Sequence, residues 1–329
     1  MFGPHVLRHL RAFFRAFSPK LRLMWTTLND SLSQLGESPF WHPAERSLYW
    51  LDIPGRAVLR TRGDIARPEI ERWNVPTEPG CMAPARTGGL VIALRDGVYR
   101  TREWGGELKP IARVDHDVRT MRFNDGKCDP LGRFWAGTLN EAKDRANAAL
   151  YCVDARGGRA PTLTQMANEA TTANGLAFSP DDTTVYWADT AAHRVRAWTW
   201  AARPNRLSNP RVFRQFGDKP AGWTAESLVR YEGRPDGATV DAEGHYWVAM
   251  FEGGQLLRFA PSGEQVSALP TPVQCPTMPC FGGDDLRTLF VTTARRGRPA
   301  AELEQRPASG HVLSIRVATP GLPVRFFED

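Results

Sequence analysis

Four compact polar residues recur at one place in a repeated sequence pattern, each eleven to thirteen residues before a tryptophan. They are Glu37 before Trp50, Asn124 before Trp135, Asn174 before Trp187 and Asp236 before Trp247. Oxygen donors of this kind suit calcium, magnesium or manganese better than the softer metals, which prefer histidine or cysteine. Acids that meet in a narrow place also need a compensating cation. We therefore predict that Glu37, Asn174 and Asp236 bind one divalent metal ion.

The elements that must position these side chains form six copies of one pattern. Each copy has a short apolar strand, a turn rich in Asp, Gly and Pro, and an alternating strand rich in aromatic residues. Equivalent positions in the second strand are spaced by roughly 40 to 60 residues, the length of a four-stranded blade. These positions are Trp50, Val91, Trp135, Trp187, Trp247 and Phe290. The pattern predicts an all-β fold, a six-bladed β-propeller with four antiparallel strands per blade, as a single domain over residues 25–329.

The propeller architecture brings the four polar residues together. The innermost strands line the central channel, so equivalent positions in different blades converge near its mouth. The two degenerate repeats have Gly80 and Thr277 at this position and offer no acid. A second interpretation stays open, because Asn-Gly and Asp-Gly pairs such as those at Asn174 and Asp236 are also typical of hairpin turns. The common register of separate repeats favours the site.

The net charge of +6 is distributed unevenly. Five basic residues precede Met24 with no acid among them, so the rest of the chain is nearly neutral. It has no basic stripe with interleaved aromatic residues, and we expect no nucleic-acid partner. Residues 1–24 are interpreted as a basic N-terminal extension. It is either helical on anionic lipid, disordered, or an addition upstream of the native start.

The five cysteines are scattered and odd in number, which favours free thiols in a reducing cytoplasm over disulfides or a zinc-thiolate site. No apolar run approaches the roughly 20 residues that a membrane-spanning helix needs. We therefore expect a cytoplasmic protein with no membrane span, either a monomer or a small homo-oligomer.

Five spaced motifs resemble those of the senescence marker protein, gluconolactonase and luciferin-regenerating enzyme family of six-bladed propellers. The likeness covers nearly everything after about Leu35. The motifs are the residues 36–39 (GESP), 122–127 (RFNDGK), 174–176 (NGL), 234–237 (RPDG) and 281–283 (FGG).

This resemblance implies the same metal ligands and adds a substrate site. It implies that Arg122 and Asn124 contact the substrate, and that Asn124 approaches the metal through water. Glu141 stands where the family often has a further acidic substrate contact. For Arg122, an ion pair with Asp125 or Asp117 is the competing interpretation.

The predicted activity is the hydrolysis of a sugar aldonolactone by a metal-dependent lactonase. One ion of calcium, zinc, manganese or magnesium would polarise the ester carbonyl, and Asp236 would be the general base. Two other functions remain open. One is a phosphotriesterase or aryl-ester hydrolase on the same propeller, and the other is a calcium-binding regulator without catalysis.

Overall fold

The structure is a computed structural model that describes residues 24–329. These residues form six four-stranded antiparallel sheets, and the first strands of consecutive sheets pack against one another around a central channel. The predicted six-bladed β-propeller is therefore confirmed. The prediction of a basic extension falls on residues 1–24, of which residues 1–23 lie outside the described residues.

The strands follow one another from the channel outward in each blade. The chain first forms β1 (Thr26–Thr27). Blade 1 contains β2 (Gly36–His42), β3 (Ser47–Asp52), β4 (Ala57–Arg62) and β5 (Glu69–Asn74). Blade 2 contains β6 (Cys81–Pro84), β7 (Leu90–Leu94), β8 (Gly97–Thr101) and β9 (Lys109–Arg113). Blade 3 contains β10 (Met121–Cys128), β11 (Phe134–Asn140), β12 (Ala148–Asp154) and β13 (Thr162–Ala170).

The remaining three blades have the same order. Blade 4 contains β14 (Ala173–Phe178), β15 (Thr184–Asp189), β16 (Arg194–Ala201) and β17 (Arg206–Gln215). Blade 5 contains β18 (Arg234–Val240), β19 (Tyr246–Phe251), β20 (Gln255–Phe259) and β21 (Gln265–Pro270). Blade 6 contains β22 (Pro276–Gly282), β23 (Thr288–Thr293) and β24 (Leu313–Arg316), with β1 as its outermost strand.

The aromatic residues of the second strands pack between neighbouring blades, as the sequence predicts. Trp50 of blade 1 lies in one apolar cluster with Phe290 of blade 6 and is fully buried. Trp135 and Trp187 share a cluster between blades 3 and 4. The Trp135 indole N–H donates to the buried carboxylate of Asp129 at 2.8 Å, which satisfies its one polar group. These side chains therefore hold the ring rather than stack on a ligand.

The ring closes where its two ends meet in blade 6. Thr26 and Thr27 of β1 pair with Ser314 and Leu313 of β24, so a strand from the start of the described chain completes the last sheet. This pairing leaves blade 6 with four strands like the others. The short helix α1 (Ala300–Gln305) lies between β23 and β24.

The last residues of the chain cover one end of the channel. Backbone hydrogen bonds join Ala242 to Pro320, Phe327 to Pro84, and Glu328 to Gly132. Residues 322–325 thereby line a cavity of about 120 Å³ inside the ring. We call this the tail end of the channel and the opposite end, where the innermost strands begin, the site end.

Among the described residues, no helix has the length and apolar character required to cross a membrane.

Candidate metal centre and substrate site

A β-bulge lies at the predicted polar position of four innermost strands. Pairing with the second strand shifts register between Glu37 and Phe40, and again between Asn174 and Ala177. Corresponding shifts occur in β10 and β18. A bulge bends the strand and re-aims its side chains, which lets a strand packed between its neighbours place a polar group in the channel.

In two of these bulges the residue that follows the polar position has a positive φ. Gly175 has a φ of +57°, and a Cβ there would lie 2.4 Å from the hydroxyl of Tyr246. Ser38 adopts a φ of 50° after Glu37. The glycine of the Asn-Gly pair is therefore required by the bulge and the close neighbouring blade, not by a hairpin turn.

Glu37 and Asp236 come from blades 1 and 5 and lie in one buried environment. Burial raises the pKa of Glu37 well above its ordinary value, and the charges of Asp236 and Asp125 raise it further. Burial, followed by the charge of Asp125, raises the pKa of Asp236 to about 8. The neighbouring Arg234 is paired with Glu252 at 3.0 Å. The charges of Arg234 and Lys143 oppose the rise at Asp236, and that of Arg122 opposes it at Glu37, but neither rise is cancelled. Both carboxyls therefore favour the protonated form unless a cation takes the place of the proton.

The Asn174 amide is held in one orientation by Thr190. The Thr190 hydroxyl donates its hydrogen to the carbonyl of Pro235 at 2.7 Å, so it can only accept from the amide of Asn174, at 2.8 Å. The Asn174 Oδ1 must then point away from Thr190, and it accepts from Asn124 at 3.0 Å. An amide oxygen keeps a second lone pair, which remains for a cation.

Asn124 links Asn174, a predicted metal ligand, to Arg122. Its Nδ2 donates to the Ala173 carbonyl at 2.9 Å and to Asn174, while its Oδ1 accepts from Arg122 Nη1 at 3.0 Å. Both amide hydrogens are therefore used. The oxygen retains one lone pair for a substrate hydroxyl or a water.

Arg122 lies buried at the site end, and burial lowers its pKa to about 10. Its Nε is 3.7 Å from Glu141 Oε1. The competing partners suggested by the sequence are engaged elsewhere: Asp117 pairs with Arg119 at 2.9 Å, and Asp125 accepts from the backbone N–H of Leu176. Both hydrogens of Arg122 Nη1 are used, by Asn124 and by the Phe123 carbonyl at 2.8 Å, so Nε and Nη2 are left for a ligand in the channel.

Glu141 is more exposed than the other site residues and is held by a second arginine. Arg95 of blade 2 donates to both of its oxygens, at 2.9 and 3.1 Å, and also pairs with Glu78. Glu141 thus stands at the rim beside Arg122. The structure places all six predicted site residues at the site end, in blades 1, 3, 4 and 5.

Asp125 adds a buried carboxyl whose charge acts on Glu37, whereas the sequence suggested it only as a possible ion-pair partner of Arg122. It is 4% exposed, and its Oδ1 has no hydrogen-bond partner. Burial raises its pKa, and the charge of Lys127 opposes that rise. One signal was present: Ser38, Gly175 and Gly237 follow the polar residues of the other blades, whereas blade 3 has an acid there.

Lys143 is a second residue that the sequence did not indicate. It follows Glu141 in the loop between β11 and β12. The residue keeps exposed surface, but enough protein surrounds its ammonium that burial, followed by the charge of Arg234, lowers its pKa. The charges of Asp236 and Arg122 also act on the Lys143 pKa. The loop that contains Lys143 has no counterpart in the other repeats, so the sequence pattern could not indicate this residue.

A different acidic cluster lies in the hairpin between β18 and β19 and is already satisfied. Asp241, Glu243 and His245 present ligand atoms within 4.8 Å of one another. The Arg258 Nη2 lies among them, 2.6 Å from Asp241 Oδ2, 2.9 Å from Glu243 and 3.0 Å from His245. A guanidinium thus takes the place of a metal ion there.

The donors at the site end fit a hard divalent cation. They are carboxylate and amide oxygens, and the orphaned Oδ1 of Asp125 adds a buried negative atom that needs compensation. The carboxylates of Glu37 and Asp236 would balance an ion of charge two, while the charges of Lys127 and Asp125 act on one another. The fold and site together define a six-bladed propeller with oxygen donors around its axis.

The chain belongs to the SMP-30/Gluconolactonase/LRE-like family, whose model matches residues 35–295. It is 38% identical over 289 residues to a 6-deoxy-6-sulfogluconolactonase from Pseudomonas putida, covering 88% of this chain and 93% of that protein. It is 32% identical to regucalcin from Gallus gallus, with the same coverages. The crystal structure of a calcium-binding protein, regucalcin from Agrobacterium tumefaciens, has the same fold, with a TM-score of 0.82 and 24% identity over 93% of this chain and 98% of that one. The predicted family is confirmed.

Proposed function

We propose that this chain is a metal-dependent lactonase that opens a sugar aldonolactone to the aldonic acid. The observation that carries the proposal is the pair of buried carboxylates, Glu37 and Asp236, beside the oriented amide oxygen of Asn174. Membership in a family that includes a sulfogluconolactonase supports the reaction class. Calcium, zinc, manganese and magnesium are the candidate ions. The buried free cysteines support a reducing cytoplasm.

Glu37, Asn174 and Asp236 would hold the ion, which when bound would act as a Lewis acid toward the ester carbonyl. The carboxylate of Asp236 accepts a proton from the attacking water, so it must keep one oxygen free to face that water. The water oxygen bonds to the acyl carbon, the ring C–O bond breaks, and the ring oxygen leaves as a hydroxyl by taking the proton that Asp236 accepted. No serine or cysteine nucleophile is needed.

Arg122, Asn124 and Glu141 would orient the substrate. The Arg122 fork of donors suits ring hydroxyls or the carboxylate of the opened product. Asn124 offers its remaining lone pair, and Glu141 can accept from hydroxyls at the rim. Because Asn124 also bonds to Asn174, substrate contacts and metal ligands move as one unit.

The first test is a pH-stat assay over a panel of sugar lactones. The protein is stripped with a chelator and then given calcium, zinc, manganese or magnesium singly. We expect turnover to disappear on chelation and to return with at least one ion. Absence of turnover on every lactone with every ion would refute the proposal.

One variant tests whether Asp236 acts as the general base in addition to holding the ion. Asp236→Asn keeps one oxygen for the ion but cannot accept a proton, so we expect kcat to fall by about 10²-fold or more. The control is Asp64→Asn, an exposed aspartate in the loop between β4 and β5 that caps the Ala66 N–H, a bond that asparagine retains. Wild-type rates for Asp236→Asn would remove Asp236 from the chemistry.

The second candidate is a calcium-binding regulator without catalysis. It is favoured by the regucalcin relatives, one of whose structures is described as that of a calcium-binding protein. It predicts calcium binding that depends on Glu37 and Asp236 with no hydrolysis. Adding phosphotriesters and aryl esters to the panel tests the remaining alternative, because those esters lack the hydroxyls that Arg122, Asn124 and Glu141 would bind.

A further inference from the structure

The bulges that carry Asn174 and Asp236 lie on strands with one unpaired edge. Both β14 and β18 stand first in their sheets, so no strand of the same sheet pairs with them on the channel side. In each bulge two residues oppose one residue of the second strand: Gly175 and Leu176 in β14, and Asp236 and Gly237 in β18. Buried backbone groups beside such a bulge need partners from elsewhere in the protein.

Asp125 of β10 provides a partner for the bulge in β14. Its Oδ2 accepts from the backbone N–H of Leu176 at 2.9 Å, and Leu176 lies two residues after Asn174. Leu176 is fully buried, so solvent water has no access to this N–H. The carboxylate of Asp125 therefore ties the backbone beside a proposed metal ligand of blade 4 to blade 3.

Lys127 of β10 makes the corresponding contact with blade 5. Its ammonium donates to the backbone carbonyl of Ala238 at 2.8 Å, and Ala238 lies two residues after Asp236. Blade 4 packs between blades 3 and 5, so the Lys127 side chain reaches past it to make this bond. Ala238 is also the residue at which β18 resumes its pairing with β19 after the bulge. The bond therefore holds the backbone on the tail side of Asp236.

The two contacts match in position, although one uses a carboxylate and the other an ammonium. In the part of the chain that the structure describes, neither Asp125 nor Lys127 forms an ion pair within 4.0 Å, and each makes a single side-chain hydrogen bond, the one to the bulge. Their opposite charges offset one another in part. Apolar residues in such a place are often no less stabilising than two charges, so the backbone contacts account for the charges better than stability does.

We propose that Asp125 and Lys127 are positioning residues, which hold the two bulges and thereby aim Asn174 and Asp236 at one metal ion. This inference rests on the metal-dependent function proposed above and names how its metal site is assembled. Both residues act through the backbone of neighbouring strands. Loss of a supporting residue of this kind commonly lowers metal affinity by about 10- to 100-fold.

The decisive variant is Lys127→Met, because charge and position predict opposite results. Methionine has nearly the same length but cannot donate to Ala238. If Lys127 acted only through its charge, its removal would relieve a repulsion and the divalent ion would bind more tightly. Because it holds the bulge that carries Asp236, we expect metal affinity to fall by about tenfold or more. Calorimetric titration of the chelated protein with calcium, zinc, manganese and magnesium measures this affinity.

Two variants at Asp125 separate its hydrogen bond from its charge. Asp125→Asn and Asp125→Ala both remove the negative charge, but asparagine keeps an oxygen that can accept from the N–H of Leu176. We expect Asp125→Ala to bind the ion about tenfold more weakly than Asp125→Asn. Equal affinities would show that only the charge of Asp125 matters. This comparison decides the question at β14 even if Lys127→Met does not fold.

The matched control is Arg258→Met, which removes a cation bound near the other end of β18. Arg258 Nη2 donates to Asp241 at 2.6 Å, just beyond the last residue of that strand. Its loss should lower the urea midpoint of unfolding and leave metal affinity unchanged, because the bulge keeps its partner. A fall in affinity as large as that in Lys127→Met would overturn the positioning role, since general destabilisation would then explain both.

Failure of this inference and failure of the lactonase give different results. Metal binding without hydrolysis of any lactone contradicts the lactonase, and the titrations still decide the role of Asp125 and Lys127 because they need no turnover. Unchanged or tighter metal binding in Lys127→Met, in a protein whose wild type hydrolyses lactones, contradicts the positioning role alone. Binding of no ion by the wild-type protein refutes both the metal centre and this role.

Discussion

At the scale of single residues, a metal ligand depends on the residue that orients it, and the proposed ligand Asn174 illustrates this. An asparagine side chain can present either its oxygen or its NH₂ group to the channel. Thr190 removes the choice, because its only hydrogen goes to Pro235 and it must accept from Asn174. A supporting residue of this kind commonly affects affinity nearly as much as a ligand does.

Replacing Thr190 by valine should therefore weaken metal binding. Valine has nearly the same shape but leaves the Asn174 NH₂ group and the Pro235 carbonyl without partners. We expect metal affinity to fall by about 10- to 100-fold and the unfolding free energy to fall by about 1–3 kcal/mol. Calorimetric titration of the chelated protein with the activating ion measures the first effect, and urea unfolding measures the second.

The matched control for this change is Thr172→Val. Thr172 is buried at the same end of the same blade, but its hydroxyl has no hydrogen-bond partner. Its removal should leave both affinity and stability nearly unchanged. Thr190→Ser, which retains the hydroxyl, should bind metal like the wild-type protein. Equal effects of valine at positions 190 and 172 would contradict the orienting role.

The paired carboxylates predict an unusual pH dependence for the metal-free protein. The pKa of Asp236 is raised to about 8, far above the ordinary 3.8, so the folded state binds a proton that the unfolded state has lost. Stability therefore falls as pH rises between these two values, by about 1.4 kcal/mol per pH unit for each such carboxyl. A saturating divalent ion should abolish this dependence by replacing the proton.

Urea unfolding of the chelated protein at several pH values between 5 and 8 tests this sign. Other groups also titrate in this range, so the useful quantity is the difference between the wild-type protein and Asp236→Asn. We expect the advantage of the wild-type protein to decrease as pH rises in the absence of metal. A difference that stays constant with pH would show that the Asp236 pKa is not raised.

At the scale of elements, the blades were predictable and the bulges were not. Alternating strands with buried aromatic residues identify each hairpin, since the pattern lies within one short segment. The bulge at Asn174 depends instead on the neighbouring blade, which leaves no room for a Cβ at Gly175. In blade 2, Gly80 occupies the position that Asn174 has in blade 4. It too must be glycine, because a Cβ would lie 2.4 Å from the backbone of Phe123.

The predicted site residues show the same difference between features that repeat and features that depend on neighbouring blades. Glu37, Asn174 and Asp236 could be selected from sequence because their register repeats. The partners of Glu141 could not, since Arg95 comes from another blade and nothing near it in sequence marks the pair. Lys143 lies in a loop that occurs once, so comparison of the repeats could not draw attention to it. Residues that repeat can be found by comparison within the chain, and those that do not repeat require the folded ring.

At the scale of the whole molecule, the two ends of the channel have separate tasks. The site end carries the carboxylates, while the tail end is covered by residues 322–325. Phe327 holds the tail in place: it is fully buried in the apolar cluster of blades 2 and 3, and its backbone bonds to Pro84. The tail therefore covers the end of the channel away from the carboxylates, and we expect changes there to affect stability rather than metal binding.

Phe327→Ala tests this separation. Removing a fully buried aromatic side chain should lower the unfolding free energy by about 3–5 kcal/mol. Its neighbour Phe326 is only partly buried, against Arg86 and His42, so Phe326→Ala should cost less than half as much. In both variants metal affinity, measured by calorimetry well below the unfolding temperature, should match the wild-type protein, because the ligands lie at the opposite end of the channel. A loss of metal affinity in folded Phe327→Ala would show instead that the tail end and the site end are coupled through the innermost strands.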